Sequence, residues 1–322
     1  MPKLSMQPLT TDLSTEELFA KFIVFKKIRN LAQDTIDYYE KCFEFFSEYY
    51  PTSLPCSGIT KDVCLGYIQH LQQTRSHLKD TTINTYLRGV RALLYYGMEL
   101  GYLSRFKLEL IKANKELKET YTDEELALLL KKPDIKQCGF AEYRDWVMVN
   151  YFLATGNRLL TVMNLKIGDI DFEDGMIALT RTKNRKAQLV PLSQTMLRIL
   201  PEYLQYRQGN SEDYLFSNIF GKQFSKGGLQ TAIQTYNKNR GVAKTSVHLF
   251  RHTFAKKWIL SGGDIFRLQK LLGHSSLEIV KEYVNIFGAD LKAQYNIFNP
   301  LETVYRSQNL EAKKAIGMQK TQ

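Results

Sequence analysis

The sequence predicts a mainly α chain with a small antiparallel sheet: an all-helical domain followed by a mixed α+β domain. Three observations carry that expectation. Apolar residues recur three and four positions apart through about the first hundred residues, with no alternating stretch among them. One window only, IDFEDGMIALTRTKNRKAQLVPL, combines strand-type runs with an Asp-Gly turn signal. Between the two regions lies KANKELKETYTDEE, a charged segment in which Leu117 is the large aliphatic residue; that composition suits a linker.

Residues 1–11 read as a flexible leader without the apolar core of a signal peptide. Ser14 and Glu17 stand at capping-box spacing ahead of a helix carrying Leu18, Phe22 and Phe25. A second helix carries Ile36, Tyr39, Phe43, Phe46 and Tyr50, and Pro51 is expected to end it. Thr60 can cap a third helix with Val63, Tyr67, Ile68 and Leu71. A fourth runs from Asp80 to Met98, with Ile83, Tyr86, Leu87, Val90 and Leu94 inward. Residues 12–112 therefore read as one helical domain and 113–121 as the linker. In the second domain, 122–298, Thr122 opens a helix whose first turn holds Glu124 and Glu125, near the positive end of its dipole. Strands are expected at Met176–Thr180 and Gln188–Pro191, on either side of a basic turn, Thr182 to Lys186. Helices resume near Ser193 and around Leu229. Ser275 and Glu278 have capping-box spacing for a helix bearing Ile279, Val280 and Tyr283. In the tail, 299–322, Asn299 and Pro300 suit the start of a helix with Leu301, Val304 and Tyr305 on one face.

The composition narrows the class. A 44% hydrophobic content supports a real core, and a net charge of +11 favours a polyanionic partner, above all nucleic acid. No run of apolar residues is long enough to span a membrane. The four cysteines form no CxxC pair, which disfavours a zinc site and fits reduced thiols in the cytoplasm.

Five windows of the second domain hold reactive side chains. In LATGNRLLTVMNL, Arg158 opens a helix, where a cation is best explained by an anion it must meet. In TRTKNRKAQLVPL, Lys183 lies among Arg181, Arg185 and Lys186. In VHLFRHTFAKKW, His248 and Arg251 share a helix face, while His252 points elsewhere and suits packing or capping. His274 follows in LLGHSS, and Tyr283 comes last. Two arginines, a lysine, two histidines and a tyrosine suit attack on a phosphodiester. Two guanidiniums can hold the non-bridging oxygens and stabilise the charge added in the transition state. Neighbouring cations favour phenolate, an imidazole can accept the phenol proton, and a lysine can protonate the departing 5′ oxygen. That chemistry needs no metal and no other cofactor.

In ATGNRLLTVMNLKIGDID, TKNRKAQLVPL, HLFRHTFA, LLGHSSLEIVKEYV and TTINTYLRGVRALLYYGMELGYL, the chain resembles the tyrosine recombinases of the phage-integrase and Xer-like type over residues 12–300. The resemblance implies a SAM-like core-binding DNA-binding domain, a tyrosine-recombinase catalytic domain, Arg158, Lys183, His248, Arg251 and His274 as activating residues, and Tyr283 as the nucleophile. It implies a homotetramer on two double-stranded DNA sites, a 3′-phosphotyrosyl link, a Holliday junction and a tail exchanged between protomers. It departs from the family at Thr161, where a glutamate is common. Asn84, Arg88 and Arg91 share a face of the fourth helix and, with Arg181 and Arg185, are candidate DNA contacts. The expected task is integration and excision of a mobile element by a cytoplasmic, nucleoid-associated enzyme. The alternatives are Xer-like resolution of chromosome or plasmid dimers, a type IB topoisomerase-like activity, and a non-catalytic DNA-binding protein.

Overall fold

A computed structural model describes residues 12–113, 119–179, 187–273 and 301. The chain divides into two compact units, with the boundary between Glu116 and Leu117.

The first unit is built on four helices: α1 (Thr15–Ile28), α2 (Gln33–Ser47), α3 (Lys61–Thr74) and α4 (Asp80–Glu99). The capping box at α1 is formed, with Ser14 Oγ accepting from Glu17 N at 3.2 Å and Glu17 Oε2 accepting from Ser14 N at 2.8 Å. The Thr60 side chain caps α3 through Val63 N. Leu18, Phe22, Ile36, Phe46, Tyr67, Leu71, Leu87 and Leu94 meet in the core of this unit. Helix α2 stops earlier than the Pro51 signal suggests. The amides of Tyr49 and Tyr50 both turn back to Phe46 O, and Tyr50 Oη donates instead to Pro55 O at 2.8 Å. A residue preceding proline is pushed out of the helical region, so the chain leaves the helix before the proline itself. Tyr86 is only half-buried.

The second unit is helical around one small sheet. Helix α5 (Asp123–Leu130) starts on a complete Thr122–Glu125 capping box. Helix α6 (Phe140–Thr155) is central, buried on every side through Trp146, Val147, Met148, Tyr151 and Phe152. Helix α7 (Leu159–Met163) follows at once. Strands β1 (Ile170–Asp171), β2 (Met176–Leu179) and β3 (Gln188–Pro191) form an antiparallel sheet in that order. Its register pairs Ile170 with Ile177, Ile177 with Val190 and Leu179 with Gln188. Asp171 Oδ1 accepts from the amides of Glu173 and Asp174, and Gly175 takes φ 65°, which closes the first turn. Thr180 and the basic turn between β2 and β3 lie outside the described residues. Helices α8 (Gln194–Arg207), α9 (Lys226–Asn239), α10 (Val247–Leu260) and α11 (Ile265–Leu272) complete the unit. Ser193, Ser225 and Asp264 cap α8, α9 and α11. The helix expected from Ser275 and the cap expected at Asn299 lie outside the described residues.

Candidate active site

The C-terminal end of α11 brings together two of the predicted residues, Arg158 and Arg251. The Gly273 amide caps the Gln269 and Lys270 carbonyls, and the end of the helix carries the negative end of its dipole, so cationic and amide donors are favoured there. Gly273 ends the helix at φ 59°, a left-handed conformation that suits glycine.

Arg158 reaches this point from the turn after α6. Gly156 closes α6 at φ 61°, and a Cβ on it would stand 2.6 Å from Phe254 Cδ1 and 2.8 Å from Leu272 Cδ2. Glycine is therefore required by the backbone and by its neighbours. Asn157 Nδ2 donates to Tyr151 Oη at 2.8 Å and fixes the turn, which leaves Arg158 as the N-cap of α7. Arg158 Nη1 donates to Leu272 O at 3.2 Å, with longer contacts to Gly273 O.

Arg251 arrives from α10. It is buried, and it donates from Nη1 to Gly156 O at 2.8 Å and from Nη2 to Leu272 O at 2.7 Å. Two guanidiniums from separate helices thus share the Leu272 carbonyl, which brings two cations close together. Helix α10 is held from behind, since Tyr121 N donates to Thr253 Oγ1 at 2.9 Å. His248 lies on α10 one turn before Arg251 and is exposed; His252 is half-buried. Thr161, where a glutamate is common in the family, is buried in α7.

Of the other predicted residues, Lys183, His274, Tyr283, Arg181 and Arg185 lie outside the described residues. Arg88 is exposed and Arg91 half-buried on α4. Asn84 is a correction. It is 4% exposed, its Nδ2 donates to Ile111 O at 2.8 Å, and its Oδ1 accepts from Ile111 N at 3.0 Å. This amide pairs with backbone inside its own unit, so it is not presented to DNA.

Sequence reasoning missed Gln188, the first residue of β3. Its Nε2 donates to the carbonyls of Lys270 and Leu271, the latter at 3.1 Å. With the two arginines it covers four successive carbonyls, from Lys270 to Gly273. No sequence signal marks these acceptors, because they are backbone atoms. In the same unit, burial pushes the phenols of Tyr121, Tyr143, Tyr151, Tyr203 and Tyr236 upward. Desolvation disfavours phenolate, which makes these core tyrosines poor nucleophiles at neutral pH.

Residues 119–288 match the model of the phage integrase family, and residues 17–115 match that of the phage integrase SAM-like domain. The chain belongs to the phage integrase family. This family member is 28% identical over 243 residues to tyrosine recombinase XerC of Chlamydia caviae, covering 73% of this chain and 76% of that one. It is 25% identical over 299 residues to tyrosine recombinase XerD of Staphylococcus epidermidis, covering 88% and 98%. The Tn1549 transposon integrase, solved in complex with a circular intermediate DNA, shares its fold with a TM-score of 0.69 at 19% identity, covering 84% of this chain and 95% of that one. XerH recombinase bound to a palindromic difH substrate does so with a TM-score of 0.66 at 21% identity, covering 90% and 85%. As a family member, the integrase is a site-specific recombinase, an enzyme that cleaves and rejoins DNA. Among the described residues, no helix is long and apolar enough to cross a membrane.

Proposed function

We propose that this integrase cuts each strand of a double-stranded DNA recombination site with Tyr283 and carries the strand as a 3′-phosphotyrosyl ester. The observation that supports this reading most is the convergence of Arg158 and Arg251 on one carbonyl at the end of α11, immediately before His274. In the proposed step, Tyr283 Oη attacks the scissile phosphorus and forms a P–O bond, while the bond from phosphorus to the 5′ oxygen breaks. Arg158 and Arg251 hold the non-bridging oxygens and stabilise the added charge. An imidazole of His248 or His274 accepts the phenol proton, and Lys183 gives a proton to the departing 5′ oxygen. The ester conserves the bond energy, so attack by the 5′ hydroxyl of a partner strand reseals the backbone and leads through a Holliday junction.

Arg88, Arg91, Arg181 and Arg185 are proposed as phosphate or groove contacts that give salt-dependent affinity. Residues 12–112 serve as the core-binding domain, 122–298 as the catalytic domain, and 299–322 as a tail helix docked on the next protomer of a homotetramer. Such a head-to-tail contact closes in a ring. The enzyme works on the DNA of the nucleoid, in the cytoplasm. The biological task we favour is integration and excision of a mobile element. The likeness to relatives named XerC and XerD favours dimer resolution as the second reading.

The test uses the full chain and duplexes selected by binding from a random-sequence pool, then nicked so that cleavage traps the protein. Wild type should form a covalent protein–DNA adduct, and Tyr283→Phe should bind equally well and form none. An adduct with the Phe variant would assign the nucleophile elsewhere. Mapping bound genomic fragments separates the two biological tasks, since element ends and a chromosomal dimer-resolution site are different loci.

A further inference from the structure

The β2–β3 hairpin carries the proposed general acid, Lys183, on its connection, while the guanidinium pair belongs to helices α7 and α10. Cleavage needs the acid and the clamp on the same phosphate, so something must fix the hairpin relative to the clamp. Among the described residues, Ile177, Leu179 and Val190 of the two strands share the core with Leu159 of α7 and Phe250 of α10, and Gln188 ties the mouth of the hairpin to the end of α11 by hydrogen bonds. Gln188 stands opposite Leu179 at the mouth of the hairpin, where the Lys183 connection leaves the sheet. Its amide nitrogen donates to the Lys270 and Leu271 carbonyls. The next two carbonyls, of Leu272 and Gly273, are those that accept from Arg158, and Leu272 O also accepts from Arg251. The approach is close on the other side as well. A Cβ at Gly273 would stand 2.9 Å from Gln188 Oε1 and 3.6 Å from Arg158 Nη1.

We infer that Gln188 is a positioning residue for strand cleavage: it staples the base of the Lys183 connection to the carbonyl row that also seats both arginines. The inference rests on the proposed roles of Lys183 and the guanidinium pair. The link is a neutral amide donor on the last carbonyls of a helix, one of which, Lys270 O, also accepts from the Gly273 amide, so it supplies direction without adding a third charge beside two arginines. Removing it frees the base of the acid-bearing connection while the clamp keeps its own bonds. Displacement of a reacting group by about an ångström costs on the order of a hundredfold in rate.

The experiment measures single-turnover cleavage on the nicked, pool-selected duplex, in an all-oxygen form and in a form with sulfur at the 5′-bridging position. A sulfur leaving group departs without needing a proton, so the second duplex bypasses the acid. Gln188→Ala and Gln188→Met are compared with Lys183→Ala and Arg158→Ala. The methionine variant keeps the side-chain length without a charge and removes the donor, which separates lost direction from lost packing. The expected result is a loss on the order of 10- to 100-fold for both Gln188 variants on all-oxygen DNA, with unchanged DNA affinity and melting temperature. Both should recover to near the wild-type rate on the sulfur duplex, as Lys183→Ala does and Arg158→Ala does not. Wild-type rates for both Gln188 variants on all-oxygen DNA would overturn the inference. So would slow cleavage on both duplexes while Lys183→Ala recovers, because Gln188 would then act through something other than the acid. If Lys183→Ala itself fails to recover, the assignment of the acid falls and the role given to Gln188 falls with it.

Discussion

Arg144 and Arg251 are both buried in the second unit, at 4% and 5% exposure, yet they sit in different chemical settings. Arg144, near the start of α6, donates from Nε and Nη2 to Asp145 Oδ1 at 2.9 and 2.7 Å and from Nη1 to Ser217 O, and it lies over the Phe224 ring. Its charge is met by a carboxylate inside the core. The bonds described for Arg251 go to the carbonyls of Gly156 and Leu272, as do those of Arg158 to the same end of α11. Carbonyls orient a guanidinium without neutralising it. Burial of an arginine therefore says little about its task; the kind of acceptor around it says more. A carboxylate partner marks an ion pair of the fold, and the helix-end carbonyls are the acceptors that seat the two arginines proposed to meet a phosphate.

That difference can be broken by substitution. Arg144→Ala leaves the Asp145 carboxylate buried without its partner and should cost about 3–5 kcal/mol of stability. Thermal or urea unfolding of the full chain checks this, and a loss below about 1 kcal/mol would mean that Asp145 finds another solution. Arg251→Ala and Arg158→Ala should behave in the opposite way. Each is expected to slow cleavage by roughly 3 kcal/mol or more in activation free energy, with modest changes in DNA affinity. Wild-type single-turnover rates in both variants would contradict the clamp.

The buried pair also carries a pH signature. Burial pushes the Asp145 carboxyl up to about 6, against the pull of Arg144. The folded state thus holds this proton more tightly than the unfolded chain does. The stabilisation from protonation is present below the ordinary carboxylate range and is lost as pH rises from about 4 through about 6, with a slope of at most about 1.4 kcal/mol per pH unit. Melting temperatures of wild type relative to Asp145→Asn should therefore rise on acidification across that window. A flat difference would show that Asp145 does not titrate there.

The first unit offers the smaller contrast between Asn84 and Arg88, one turn apart on α4. Asn84→Ala strands the backbone groups of Ile111 and should destabilise that unit by about 1–3 kcal/mol, with little effect on the salt dependence of DNA binding. Arg88→Ala should leave stability unchanged and make the slope of log affinity against log salt shallower by roughly one. Equal slopes for wild type and Arg88→Ala would remove Arg88 from the interface.

The same contrast explains what could be read from the sequence. Local signals came through: the Ser14–Glu17 box, the Thr60 and Thr122 helix starts, and the turn at Gly175 each depend on residues within one or two turns of one another. Helix α6 was not delimited because it is apolar on all sides and shows no stripe. Arg158, His248 and Arg251 were legible as reactive types in order. Asn84 was misread because an amide on one face with two arginines looks like a solvated stripe, while its true partner, Ile111, is 27 positions away. Gln188 passed unnoticed for a similar reason. Its acceptors are backbone carbonyls 82 and 83 positions on, which any residue type could supply.

The central claim is that Arg158 and Arg251 act on the charge of the non-bridging phosphate oxygens, and one substitution in the DNA tests it directly. A methylphosphonate at the scissile position replaces one charged oxygen with a methyl group and removes the charge that the guanidiniums are proposed to meet. Single-turnover cleavage of this duplex and of the ordinary one by wild type, Arg158→Ala and Arg251→Ala gives two ratios for each variant. The account predicts a large deficit on the charged phosphate that collapses towards parity on the neutral linkage for at least one of the two arginines. An undiminished deficit for both variants on the methylphosphonate would contradict it.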